Sequence, residues 1–198
     1  WCAQLHHISL TGKGLSEIKF VKAYSSDLGR AINTARLILA NNSEKKKPEI
    51  IELIGLREWG YGGYEGRDDN DLWIPLYKEV NVKFEKDWST WDEFTSKMDD
   101  KAIADAIAKN DSTKTAETYD QILIRSKAAM DQIIEEATAI GGGKVLVVSH
   151  GSEIPTILEM YAPDEYNGEA IGNVSLSILE YQNGKFTLKT IGNLDYLK

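Results

Sequence analysis

The sequence predicts an α/β protein: a three-layer α/β/α sandwich with a mainly parallel central sheet and an inserted helical cap. Three observations carry this. Short apolar runs of strand length alternate with segments of helical periodicity. One run, Lys144-Val-Leu-Val-Val-Ser149, is apolar at four successive positions, the pattern of an inner parallel strand buried on both faces. Between about 67 and 114 the alternation gives way to helical stretches crowded with aromatics and carboxylates.

Taken in order, residues 18–24 (Ile-Lys-Phe-Val-Lys-Ala-Tyr) read as a strand. Leu28, Ile32, Ala35 and Leu39 follow at helical spacing behind Ser25-Ser26-Asp27, residue types that favour helix starts. Asn41 to Pro48, with three consecutive lysines, is a solvated connection, and Ile50 to Leu56 is a second run of strand length. The inserted segment has helical stretches near 70–79, 88–98 and 99–109. Its Trp73, Trp88, Trp91, Tyr77, Phe84 and Phe94 are expected to pack it onto the sheet or, for some of them, to wall a substrate cleft. The longest helix is expected over 115–139, where Tyr119, Ile122, Ser126, Met130, Ile133 and Ala137 hold one stripe and Gly141-Gly142-Gly143 stops it. Residues 174–181 and 185–191 flank Asn183-Gly184, a strong hairpin signal.

The 198 residues are 42% hydrophobic and 27% charged, the profile of one globular domain over 1–198 that closes a core without disulfides. The one cysteine, Cys2, cannot form an internal bridge. With 23 Lys+Arg against 31 Asp+Glu the net charge is −8, a field that repels polyanions, so neither nucleic acid nor membrane is an expected partner. A small anion can still be held in a local basic pocket. No apolar run reaches the roughly 18 residues that a membrane helix needs. The first residues lack the charged-then-apolar layout of a secretory signal, so the expected location is cytoplasmic.

In parallel α/β sheets ligands bind beyond the carboxyl ends of the strands, and three strand ends here carry polar groups of one theme. After the first, Tyr24-Ser25-Ser26-Asp27-Leu28-Gly29-Arg30 places two hydroxyls and an arginine on the opening turn of a helix, where backbone N–H groups and the dipole favour anions. Arg30 adds a planar fork suited to phosphate. After the buried strand, Ser149-His150-Gly151-Ser152 sets an imidazole at the strand tip. After the second strand, the glycine-rich loop from Leu56 to Gly66 supplies two carboxylates, Glu58 and Glu65. An arginine, a histidine and a carboxyl group meeting in one crevice suit phosphate-ester chemistry: the first two hold the phosphoryl oxygens while an acid protonates the departing oxygen.

Three blocks, Tyr-Ser-Ser-Asp-Leu-Gly-Arg-Ala-Ile-Asn-Thr-Ala (24–35), Leu-x-Glu-x-x-Tyr-Gly (56–62) with Glu65-Gly66, and Val-Leu-Val-Val-Ser-His-Gly (145–151), resemble those of the histidine phosphatase, or phosphoglycerate mutase-like, superfamily. They occur in family order, and the strand after Asn173 with its hairpin resembles that family's C-terminal end. The similarity runs from about residue 10 to the end, with 67–114 the least matched part. The resemblance implies that Arg30 is a phosphate-pocket arginine, that His150 is the second pocket histidine, that Gly151 and Ser152 lend backbone donors, and that Glu58, rather than Glu65, is the general acid. It implies a phosphatase acting on a small phosphorylated metabolite through a phosphohistidine, with a phosphoglycerate mutase as the rival using the same pocket. No metal or other cofactor is expected. The expected partner is a small phosphorylated substrate, and a homodimer is left open.

The family's first block, an Arg-His-Gly at the end of its central strand, supplies the nucleophilic histidine and a second phosphate-binding arginine. It has no counterpart in this sequence. Two accounts stand side by side. Either the block belongs to the molecule but not to these 198 residues, or Leu5-His6-His7-Ile8-Ser9 is a degenerate first strand in which His7 replaces the nucleophile. A relative without the nucleophile would bind phosphorylated ligands without turnover. A central parallel strand is paired on both edges, so if that first strand is missing, its place has to be filled by residues 2–9 or by a partner chain.

Overall fold

The computed structural model describes residues 13–169 and 171–195. Cys2, His6, His7 and the expected first strand at 5–9 lie outside the described residues. The chain runs β1 (Phe20–Ser25), α1 (Gly29–Ala40), β2 (Ile50–Glu52), α2 (Asp69–Glu79), α3 (Trp91–Thr95), α4 (Asp100–Asn110), α5 (Tyr119–Ala139), β3 (Lys144–Val148), α6 (Glu153–Tyr161), β4 (Leu176–Gln182) and β5 (Lys185–Asn193). Single turns of 3-10 helix occupy Ile54–Leu56 and Gly62–Tyr64. The chain divides into two compact units: the segments up to Glu58 and from Arg125 onward form one, and Trp59–Ile124 forms the other, a wider stretch than the 67–114 read from composition. Among the described residues no helix is long and apolar enough to cross a membrane.

In the first unit β1 lies between β2 and β3 and is parallel to both. Ser25 stands opposite Glu52 on one side and Val148 on the other, so the three carboxyl ends finish level. Successive strand residues point to opposite faces. Ala23 and Leu146 pack with Ile38 and Leu39 of α1, whereas Tyr24 packs with Ala129, Met130 and Ile133 of α5 and Ile157 of α6. Helices therefore cover both faces of the sheet, which gives the three layers. The Lys22 ammonium and the Tyr24 hydroxyl both donate to Glu136 Oε2, at 2.7 and 2.9 Å, and tie α5 to the middle strand.

The glycine run ends α5 as expected. Gly142 N–H donates to the Ala137 carbonyl and Gly141 N–H to that of Thr138, the paired closing bonds of a helix whose exit residue is left-handed, with Gly141 at φ +89°. Asn183 and Gly184 both have positive φ and join β4 to β5 as an antiparallel hairpin.

Two readings of the strands are corrected. The run Ile50 to Leu56 is strand only over Ile50–Glu52; the rest turns into 3-10 helix, and Leu56 is carried into the core beside α5. β3 is not buried on both faces: Leu146 is its one buried residue and Val147 is 37% exposed. Among the described residues β3 pairs with β1 alone, so its apolar run exceeds what this sheet covers.

The second unit has a core of its own, built from residues between Trp59 and Ile122. Tyr77 and Phe94 stack with centroids 4.0 Å apart, and Trp73 meets Trp88, Trp91 and Phe94 edge-on. These aromatics pack against one another, as rings that offer edges and faces at this density do. Buried Asp111 organises the loops beside it, accepting from the amides of Gly63, Thr113, Thr115 and Ala116 and from the Thr113 hydroxyl. Burial opposes its ionisation, but these hydrogen bonds outweigh burial and hold the carboxyl far below the usual range.

Phe94→Ala is expected to lower stability by about 3–5 kcal/mol in urea unfolding followed by tryptophan fluorescence. A loss below about 1 kcal/mol would show that this ring is not central to the core.

Candidate active site

The three level strand ends lead into three turns, and hydrogen bonds join each turn to the other two. The backbone ladder continues past β1: Ser26 N–H donates to the Val148 carbonyl and Leu53 N–H to that of Ser25, both at 2.9 Å. Ser25 and Ser26 are fully buried. The Ser25 hydroxyl donates to the Ser26 carbonyl at 2.7 Å, and Ser26 Oγ accepts from Leu28 N–H at 3.2 Å. This hydroxyl pair thus shapes the turn internally. Among the described residues the start of α1 carries no side-chain cap and no acid in its first turn, where the dipole favours an anion.

The first link between turns is a hydrogen bond from Arg30 Nε to His150 Nδ1, 3.1 Å. Arg30 is exposed while His150 is 7% exposed. Burial above all, then the Arg30 and Arg125 charges, lower the His150 pKa from 6.5 to about 4, so the ring is neutral at pH 7. A neutral imidazole that accepts at Nδ1 carries its proton on Nε2. That Nε2 is buried and has no hydrogen-bond partner among the described residues. A buried donor without a partner is costly, which makes it a position that awaits an acceptor.

The second link joins β2 to β3. Ser152 N–H, at the start of α6, donates to both Glu58 carboxylate oxygens, at 3.1 and 3.4 Å, so the half-buried Glu58 caps this helix where its dipole favours an anion. A Cβ added to Gly151 would stand 3.9 Å from Glu58 Oε2, which puts that glycine beside the same carboxylate. The Ser149 hydroxyl donates to the Leu56 carbonyl at 2.9 Å. The third link closes the ring: Arg57 Nε and Nη2 bind Asp27 Oδ1 and Oδ2 at 2.7 and 2.6 Å, a bidentate pair that lowers the Asp27 pKa.

Arg30, Glu58, His150, Gly151 and Ser152 are therefore gathered at one end of one sheet. Glu65 belongs to the second unit, and its Oε1 accepts from Tyr61 N–H at 3.1 Å. Sequence reasoning gave no role to three polar residues that meet these turns, the half-buried Arg125 and the buried Ser126 and Glu153. Arg125 Nη1 reaches Glu153 Oε2 at 3.1 Å, and the Ser126 hydroxyl donates to Glu153 Oε1 at 2.6 Å. Glu153 is 0% exposed, and burial raises its pKa from 4.5 to about 8 against the opposing pull of Arg125. A signal was present: Ser126 and Glu153 are polar residues at helical positions that otherwise face the core.

A family model described as histidine phosphatase superfamily (branch 1) matches residues 6–194. The chain belongs to this superfamily. It is 35% identical, with a TM-score of 0.85, to the crystal structure of phosphoglycerate mutase from Bacillus anthracis str. Sterne, over 98% of this chain and 81% of that one. It is 27% identical to phosphoglycerate mutase-like protein 4 of Arabidopsis thaliana over 183 residues, 92% of this chain and 68% of that protein. A stretch of 61 residues, 31% of this chain and 24% of that protein, is 41% identical to fructose-2,6-bisphosphatase TIGAR B of Danio rerio. The superfamily thus brings mutases and phosphatases together on this fold.

The two buried groups impose opposite pH dependences. Between about pH 4 and 6.5 the unfolded chain binds a proton at His150 that the folded chain does not, so stability rises with pH. Between 4.5 and about 8 the folded chain keeps a proton on Glu153 that the unfolded chain has released, so stability falls as pH rises. From 6.5 to 8 the Glu153 effect is the one of the two that remains. The thermal midpoint is expected to fall across that window and to become flat in Glu153→Gln. An equal fall in the variant would contradict the assignment.

Proposed function

We propose that this chain is a phosphatase that hydrolyses a small phosphorylated metabolite through a phosphohistidine intermediate. The observation that carries the reading is the buried His150 Nε2–H, unpartnered among the described residues, with Arg30 on the other nitrogen of the same ring and Glu58 on the next turn. A tetrahedral phosphate monoester supplies an acceptor for this N–H, and its dianion is matched by the Arg30 guanidinium and the start of α1, which has no acid in its first turn. Relatives named as a bisphosphatase and as mutases support phosphoryl transfer as the chemistry.

In this mechanism an imidazole outside the described residues attacks phosphorus as the ester P–O bond breaks. Protonated Glu58 gives its proton to the departing oxygen, so the alcohol leaves neutral. Arg30 and His150 Nε2–H hold the equatorial oxygens, where negative charge is concentrated during transfer. Glu58, now a carboxylate, takes a proton from the water that attacks the phosphohistidine. Inorganic phosphate leaves, and both the imidazole and the carboxylic acid are restored.

A mutase reading is favoured by the likeness to the Bacillus anthracis phosphoglycerate mutase. The two readings part on the fate of the phosphoryl group, which passes to water in one and to a second hydroxyl of the substrate in the other. Release of inorganic phosphate from phosphoglycerates and from fructose 2,6-bisphosphate, measured beside isomerisation of 3-phosphoglycerate, separates them. Isomerisation without phosphate release would overturn the phosphatase proposal.

Arg30→Ala and His150→Ala are each expected to lower kcat by about 100-fold or more. Glu58→Gln is expected to lower turnover of alkyl phosphates by about 100-fold or more while sparing p-nitrophenyl phosphate, whose leaving group departs without a proton. Equal losses on both ester classes would refute the acid role.

A further inference from the structure

We infer that Arg125 is a positioning residue for Glu58: fixed by buried Glu153, it holds the main chain of the acid-bearing turn so that the Glu58 carboxylate stays on the first amide of α6. The inference rests on the reading of Glu58 as the proposed acid.

The guanidinium of Arg125 serves three carbonyls of one four-residue turn. Nη1 donates to Gly55 O and Arg57 O, both at 3.0 Å, and Nη2 donates to Glu58 O at 3.1 Å. Gly55 lies in the short 3-10 turn and Arg57 and Glu58 follow it outside any helix or strand, so no ladder serves these carbonyls and the Arg125 side chain meets them. Close approach is built in at Gly55, where an added Cβ would collide with the Arg125 carbonyl oxygen and stand 2.7 Å from Ala129 Cβ. From the opposite side the guanidinium is located by Glu153, whose other oxygen accepts from Ser126 at 2.6 Å.

These contacts form a closed loop. The Glu58 carboxylate is bound by Ser152 N–H, and the Glu58 carbonyl is bound by Arg125, which is bound by Glu153, the next residue after Ser152. Both ends of Glu58 are thereby tied to two consecutive residues at the start of α6. Burying a carboxyl group and a guanidinium is costly, and an apolar pair would fill the same volume without that cost. An apolar pair could not bind three carbonyls at once. Lysine offers a point charge in place of a fork and would meet only part of the set.

The test uses the full chain as Arg125→Met, Arg125→Lys and Glu58→Ala, with Glu58→Gln as the reference for acid catalysis. Amide hydrogen exchange at Ser152 reads the carboxylate contact directly and needs no turnover. Glu58→Ala sets the rate for a lost contact. Arg125→Met is expected to reach that rate and Arg125→Lys an intermediate one, with the β1 amides of Ala23 and Tyr24 as protected as in the parent. Parent-like protection of Ser152 in Arg125→Met would overturn the inference.

The second readout is the ratio of kcat/KM on p-nitrophenyl phosphate to that on an alkyl phosphate. It is expected to rise at least about tenfold in Arg125→Met, the mark of weakened acid catalysis, and to be partly restored by lysine. If Glu58→Gln changes this ratio and Arg125→Met lowers both esters equally, the positioning role fails while the acid role stands. If Glu58→Gln leaves the ratio unchanged, the acid role fails, and Ser152 exchange alone decides whether Arg125 places the carboxylate. If Arg125→Met loses β1 protection as well, Arg125→Lys decides: parent values of both exchange and ratio would overturn the inference.

Discussion

Parallel pairing of β1 with both of its neighbours is the constraint from which the site follows. In a parallel pair the ladder fixes direction as well as register, so Ser25, Glu52 and Val148 must finish at one edge. The chain then leaves all three strands on the same side. Each exit turn carries a group that reaches the next: guanidinium to imidazole, amide to carboxylate, guanidinium to carboxylate. None of these contacts depends on its own strength to assemble the site. Exposed ion pairs contribute little by themselves, and Arg57 with Asp27 is half exposed. The sheet brings the turns together, and the contacts then fix their detail.

Burial acts on the two titratable groups beneath that edge in opposite senses. It removes charge from the His150 base and from the Glu153 acid alike, lowering one pKa and raising the other. The outcome is a neutral imidazole whose tautomer is selected by Arg30, and a carboxyl group that can stay buried because Arg125 and Ser126 meet it. A site arranged in this way has its charge on groups that reach solvent, such as Arg30, while its interior holds neutral donors. That distribution suits a small anion arriving from water into a protein whose net charge is −8, since the attraction is local and does not need a favourable overall field.

The second unit makes the same point about self-sufficiency by a different route. Its aromatic residues are matched to one another, and Asp111 satisfies a cluster of amides at the junction of two loops. Both arrangements close within Trp59–Ile124. Aromatic density in a sequence therefore signals a core, and these rings form one within the second unit.

Much of the first unit was legible because its signals are local. The stripe along α5, the glycines that close it, the Asn183-Gly184 turn and the alternation of strands with helices each act over a few residues, through periodicity or through backbone conformations that particular residues favour. Arg30, Glu58 and His150 could be singled out because each follows a strand, and strand ends of parallel sheets share an edge. What the sequence by itself determined was this set of elements and the side to which their loops belong. Only the tertiary structure decided that Leu56 leaves its strand for the core, that Ser25 and Ser26 turn inward, that Glu58 binds Ser152 while Glu65 binds its own loop, and that Arg125 lies under the turn. Those outcomes depend on which donor and acceptor come within hydrogen-bond reach, and such distances are fixed by packing, to which no local pattern has access.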